Sequence, residues 1–185
     1  MPRVSQEQAK LNRQRVVDVA AALFRERGLN GVGVADIMAS AGLTHGGFYG
    51  QFANKEALAA EAFDHALSDR AQAKEYRESR DALLSMYLSL GHVTSPGQGC
   101  PVAALANDVA REAPDSPVRS RFTQGVRHLS DLLVGLMPKG SEQRRRQRAL
   151  ATMSTMVGAV VLARAVNDET LAKELILAAH SSASA

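Results

Sequence analysis

The sequence predicts an all-α protein of about nine helices. Apolar residues fill 45% of the 185 positions, yet only 4% are aromatic and none is Trp. Alanine is abundant where a sheet would use β-branched and aromatic residues. Apolar positions also recur at three- and four-residue spacing in one segment after another, with Gly and Pro between them. The length fits one domain or a small domain docked on a larger one. The single Cys excludes an internal disulfide, and no charged-then-apolar leader opens the chain, so a cytoplasmic protein is expected.

Residues 1–7 are polar and read as a frayed end, with Arg3 available to an anion. The first helix is expected from about Gln8 to Arg27, burying Val16, Val17, Ala20, Leu23 and Phe24, and Gly28 ends it. Lys10, Arg13 and Arg15 lie towards its start. Positive charge there opposes the helix dipole, so an external anion explains these residues better than helix stability does.

A second, short helix spans Val34 to Ala41, with Val34, Ile37, Met38 and Ala41 on one face and Gly42 supplying the turn. Leu43 fills that turn, and Thr44 is the natural N-cap of a third piece running to about Gln51. Phe48 and Phe52 point inward while His45, Gly46, Tyr49 and Gln51 fall on other faces, so this is a helix-turn-helix with a polar outer face that suits a DNA groove. Gly46, Gly47 and Gly50 would each cost a helix about 1 kcal/mol relative to Ala. That cost makes sense where a close external surface excludes larger side chains.

Asn54 caps a long helix from Lys55 to about Lys74 or Arg80, with Leu58, Ala62, Phe63 and Leu67 inward. Its first turn and Lys55 together form an anion site. One further helix is expected over Asp81 to Val93, then a loop over Ser95 to Gly99. Pro101 opens a helix to about Arg111 with Cys100 at its N-cap, and Pro117 opens another to Met137. Ser141 caps a helix that starts with Arg144, Arg145, Arg146 and Arg148. These four read as a solvated face or as partners for carboxylates of another chain. The nearly uncharged run from Ala149 to Ala163 is interrupted by Thr152, Ser154 and Thr155, too short and too polar for a membrane span. It is expected to be covered partly by the chain's own core and partly by a second copy. A last helix covers about Glu169 to Ala179, and the terminal SSASA is expected to be disordered.

Charge is segregated. Residues 1–55 hold seven Lys or Arg against four Asp or Glu, and residues 56–185 hold fifteen of each, the pattern of a phosphate-binding end on a neutral body. The five His show no H-x-x-x-H or Cys/His spacing, and neither a G-x-x-x-x-G-K loop nor a G-x-S-x-G elbow is present. No metal, no cofactor and no enzyme activity are therefore expected. Cys100 is the exception to weigh. A thiol at a helix start is activated by the dipole, against the commoner role of a small buried apolar residue.

The run A-G-L-T-x-G-G-F-Y-x-x-F-x-x-K-E-A-L, carried by Ala41 to Thr44, Gly46 to Tyr49, Phe52 and Lys55 to Leu58, resembles the signature of the Tet repressor (TetR) family of bacterial transcription regulators. The resemblance covers roughly Gln8 to Ala66. It implies a DNA-binding domain over residues 1–54 and a helical ligand-binding and dimerisation domain over residues 55–185. It also implies a homodimer on a double-stranded operator, acting as a repressor released by a small hydrophobic effector. His45, Gly47 and Gln51 are then candidates for base edges, beside Gly46, with Thr44, Tyr49 and Lys55 on phosphates. Gly33, Ala35 and Gln51 depart from the family's usual Thr, basic residue and His. In the body, the helical reading places Phe63, Met86, Tyr87, Cys100, Leu105 and Phe122 around an apolar pocket. Met153, Met156, Val157, Gly158, Val160, Val161, Leu171 and Leu175 are the expected dimer face. Two alternatives remain beside the reversible effector: a repressor that senses thiol chemistry through Cys100, and an acyl-transfer or redox enzyme that uses Cys100 as its nucleophile.

Overall fold

The computed structural model describes residues 5–74 and 78–184. Among them are nine α-helices and no strand: α1 (Gln6–Arg27), α2 (Val34–Ser40), α3 (Lys55–Ala71), α4 (Arg80–Tyr87), α5 (Leu90–Thr94), α6 (Pro101–Arg111), α7 (Pro117–Leu136), α8 (Glu142–Ala165) and α9 (Glu169–Ser184). Single turns of 3₁₀ helix lie at His45–Gly47 and Pro96–Gln98.

Local signals set many of these boundaries. Ser5, Asn54, Ser79, Ser89 and Ser141 each accept a first-turn backbone N–H on the side-chain oxygen. Gly28 and Gly42 adopt φ +77° and +70°, which end α1 and α2 at no side-chain cost. Gly33 has no side chain to cap α2, but Asp36 reaches back and accepts the Gly33 N–H at 3.0 Å.

The N-terminal unit packs α1, α2 and the 3₁₀ turn around Val16, Phe24, Ile37, Met38, Phe48 and Phe52, with Phe48 and Phe52 stacked at 5.5 Å. Helix α3 lies along α1 with one face and along α7 with another, so it joins this unit to the body. In the body, α7, α8 and α9 pack in sequence, α6 is wedged against α1, α7 and α8, and α4 closes on α9.

Four expectations are corrected. The segment after Thr44 is not a helix to Gln51 but one 3₁₀ turn followed by irregular turns, and the Thr44 side chain makes no cap bond. The density of glycine disfavours a continuous helix there. The helix expected over Asp81 to Val93 breaks at Leu88. Ser89 restarts it as α5, while the His92 ring turns back onto the Tyr87 carbonyl, and Leu90 is exposed. Residues 181–184 of the tail are helical: α9 continues to Ser184, burying Ala183, and Arg80 donates to the Ser184 carbonyl at 2.6 Å. Finally, α3 ends at Ala71, and the part of its expected extension at residues 75–77 lies outside the described residues. No described helix is long and apolar enough to cross a membrane.

Candidate nucleic-acid interface and effector cavity

The outer face of the helix-turn-helix is built from the turn after Thr44. Thr44, His45, Gly46 and Tyr49 are exposed, Tyr49 to 67%, although large apolar side chains are otherwise mostly covered. The Tyr49 ring stands edge-on to Phe48 at 5.2 Å and to His45 at 5.9 Å, so a buried ring on one side and an imidazole on the other fix its direction.

The glycines are not required by the protein's own packing. None of Gly46, Gly47 and Gly50 has positive φ. A Cβ at Gly46 would meet nothing within 4 Å, and at Gly47 and Gly50 only ordinary contacts at 3.6 Å and 3.9 Å. Alanine would therefore fit at these positions in the isolated chain.

Two expected contacts are redirected. Arg13 forms a bidentate pair with Glu61 on α3, its second bond at 2.6 Å, and stacks 4.6 Å above the Phe52 ring. Its guanidinium thus braces α1 on α3 rather than waiting for phosphate. Gln51 donates to the Gly47 carbonyl at 3.2 Å, and its Oε1 is buried without a partner, so this side chain closes its own turn and does not project as a base reader. The Lys55 ammonium lies 6.0 Å from the Phe24 ring centroid, and Lys55 lines a groove with Leu29, Asn30, Glu112 and Val118. Asn54 takes the Ala57 N–H at 2.7 Å, which leaves the earlier N–H groups of α3 facing outward. Lys10 and Arg15 are exposed.

The six residues expected to line an effector pocket do not converge. Phe63 and Phe122 pack on each other at 5.6 Å, Tyr87 and Leu105 are buried in the core, Met86 meets the Arg70 guanidinium at 3.1 Å, and Cys100 borders a small cavity. That cavity lies among Leu67, Arg70, Cys100, Pro101, Leu129 and Leu132 and is closed to about 10 Å³, room for a single water. Above it, between α3 and α7, a groove of about 370 Å³ shares Leu67, Ala71 and His128 with the cavity and is rimmed by Asp64, Ser68, Gln72 and Gln124. Burial raises the Asp64 carboxyl, which also pairs with Arg121 at 3.2 Å. Gly125 lines the same groove, and a Cβ there would come within 2.8 Å of the Phe63 ring.

A clasp joins this cavity to the end of α1, and no sequence motif marks it. His92 is buried with Nδ1 2.6 Å from the Tyr87 carbonyl, while Nε2 accepts the Cys100 N–H at 2.8 Å. Two backbone partners of opposite kind require a neutral ring with its proton on Nδ1. Burial, with Arg70 and Arg164 adding repulsion, lowers its pKa to about 4. Three arginines from three helices then hold the same segment by its carbonyls: Arg25 of α1 on Gly99, Arg70 of α3 on Gln98, and Arg164 of α8 on His92 and Val93. Burial and the neighbouring Arg70 bring Arg25 down to about 10. On α6, the Asp108 carboxylate accepts the Leu29 N–H at 3.3 Å, immediately after the end of α1. Carbonyl partners carry no side-chain signature, so spacing alone could not have found these contacts. Cys100 itself is 2% exposed and its thiol makes no cap bond, the setting of a structural thiol.

On the expected dimer face, Met153, Met156 and Val160 are already spent on the protomer's own core, Met156 and Val160 fully. A helix facing its own body on one side can present only the other. Val157, Gly158, Val161 and Leu175 are partly covered, and Leu171 is exposed together with Leu150, Leu162 and Leu177.

Residues 16–62 match the family described as bacterial regulatory proteins, tetR family. An uncharacterised HTH-type transcriptional regulator of Mycobacterium tuberculosis is 31% identical over 172 residues, spanning 85% of this chain and 87% of its own. Among solved structures, a TetR-family regulator from Cytophaga hutchinsonii is similar over 99% of this chain and 97% of its own, with TM-score 0.76 at 20% identity. A TetR regulator from Chloroflexus aurantiacus is similar over 97% of both chains, with TM-score 0.70 at 26% identity.

Proposed function

Since the chain belongs to the tetR family of DNA-binding transcriptional regulators, we propose that it acts as a homodimeric repressor that a small molecule releases from a near-palindromic operator. The observation that carries this reading is the exposed turn from Thr44 to Tyr49, whose glycines are demanded by nothing inside the protein. His45 and the edge of Gly47 meet bases. Thr44, Tyr49 and the start of α3 with Lys55 meet phosphates. Residues 1–54 form the DNA-binding unit, and residues 55–185 the effector and dimer unit.

The dimer forms through the uncovered stripe of Val157, Gly158, Val161, Leu162, Leu171, Leu175 and Leu177. Two recognition turns then face half-sites about one helical turn apart. The effector enters the groove between α3 and α7. Its polar rim of Asp64, Gln72, Gln124 and His128 over an apolar floor selects an amphipathic molecule rather than a purely hydrophobic one. Displacement of Cys100 and Pro101 at the start of α6 is passed to α1 through Gly99–Arg25 and Asp108–Leu29, and the two turns change spacing.

The test begins with duplexes enriched from a random library on the full chain. Enrichment of an inverted repeat bound by two chains supports the reading; enrichment of no sequence overturns it.

A further inference from the structure

At one pole of the body, α7 ends and α8 begins; the 20 residues of α7 place this pole about 30 Å from the first turn of α7, where Val118 lies beside Leu29 and Lys55. The connection and the first turns of α8 form a groove of about 380 Å³ lined by Pro138, Lys139, Gly140, Arg144, Arg145, Gln147 and Arg148. Four of these seven residues are cationic and none is acidic. Glu142 lies on the same turn without lining the groove, and the nearby Asp131 is taken by Arg146 at 3.3 Å. Lys139, Arg144 and Arg148 have no ion pair or hydrogen bond from their side chains to any described residue. Arg145 donates Nη2 to the Val134 carbonyl at 2.6 Å, while its Nε is buried with no acceptor.

Local stability does not account for this arrangement. Cations in the first turns of a helix oppose its dipole, and four of them around one concavity repel each other. Residues 56–185 as a whole are charge-balanced, so the segregation is local. A multiply charged anion removes both penalties at once, and guanidinium forks match phosphate oxygens in pairs.

We propose that this groove is a second ligand site, for a small molecule carrying a di- or triphosphate. Its size suits a compact ligand rather than a duplex, and its place makes it independent of the groove between α3 and α7.

The test titrates inorganic pyrophosphate into the full chain by calorimetry at physiological salt, with citrate as a carboxylate of similar charge. Wild type is expected to bind pyrophosphate with a micromolar Kd and citrate at least tenfold more weakly. The double variant Arg144→Gln/Arg148→Gln is expected to lose at least tenfold in pyrophosphate affinity. Lys139→Gln, a single change in the exposed connection, loses severalfold and keeps the proposal testable should the double variant fail to fold. The proposal is overturned by no heat with pyrophosphate, equal affinity in the variants, tighter binding of citrate, or a double variant whose main defect is dissociation into monomers. Retention of random-sequence duplex that is lost only in the double variant would assign the patch to nucleic acid and equally refute a small-molecule site. Operator affinity of the variants without pyrophosphate stays at the wild-type value, so failure here is separable from failure of the repressor reading.

Discussion

Replacing Gly46 by alanine separates what the fold needs from what DNA needs. The added Cβ meets nothing within 4 Å and the backbone is outside the left-handed region. The substitution therefore removes freedom only from the unfolded chain and stabilises by about 0.4–1 kcal/mol. In a chain of this size that corresponds to a rise in Tm of about 1–4 °C. On the proposed reading, the same methyl would occupy the space between the turn and the groove. An expected tenfold loss of operator affinity is equivalent to about 1.4 kcal/mol. Calorimetric melting and fluorescence anisotropy on an enriched duplex read the two effects separately. A variant that melts higher and binds tenfold more weakly supports the assignment. Affinity within twofold of wild type would mean that the open side of Gly46 does not face DNA, and a lower Tm would mean that the turn needs glycine for itself.

Gly125→Ala is the opposite case: its Cβ would press on the Phe63 ring at 2.8 Å, so overpacking is expected to cost about 1–3 kcal/mol, read as a lower midpoint in urea. Acidification is expected to destabilise the protein through His92. Its pKa is about 6.5 unfolded and about 4 folded, so its contribution is complete above pH 6.5. Roughly 3 kcal/mol is lost as pH falls from 6.5 to 4, a slope that His92→Gln should flatten in urea titrations from pH 7 to 4. Gly158→Arg has open space in the protomer, so the variant is expected to fold and to sediment as a monomer; a dimeric variant would remove this stripe from the interface. The Cys100 thiol, 2% exposed, is expected to react with an aromatic disulfide reagent at least a hundredfold more slowly in the native protein than in urea. Fast native labelling would revive thiol sensing.

Helix periodicity and end signals carried much of the fold because they are local: serine and asparagine caps, Pro101 and Pro117 at first helical positions, and Gly28 and Gly42 in turns lie where the pattern predicts them. Errors arose where a specific side-chain contact to a backbone carbonyl outweighed the apolar periodicity. The His92 ring on the Tyr87 carbonyl splits one expected helix into α4 and α5. Arg80 on the Ser184 carbonyl holds a small-residue tail in α9. The motif from Thr44 to Tyr49 was legible because it is contiguous, although the helix expected there is a single 3₁₀ turn. The groove between α3 and α7 was not legible, since helical spacing says that Phe63, Tyr87 and Leu105 are buried but not that each is spent on core packing. The arginine clasp on residues 92–99 was invisible for a related reason: its acceptors are backbone carbonyls, identical at every position.

Hydrogen exchange of the full chain with and without an enriched duplex maps the DNA-facing surface directly. Protection is expected in peptides covering Gly42 to Ala57 and at the start of α1, with none over Pro138 to Arg148. Protection confined to the α8 pole, or absent from Thr44 to Tyr49 at saturating duplex, would contradict the assignment of that turn as the surface that reads DNA.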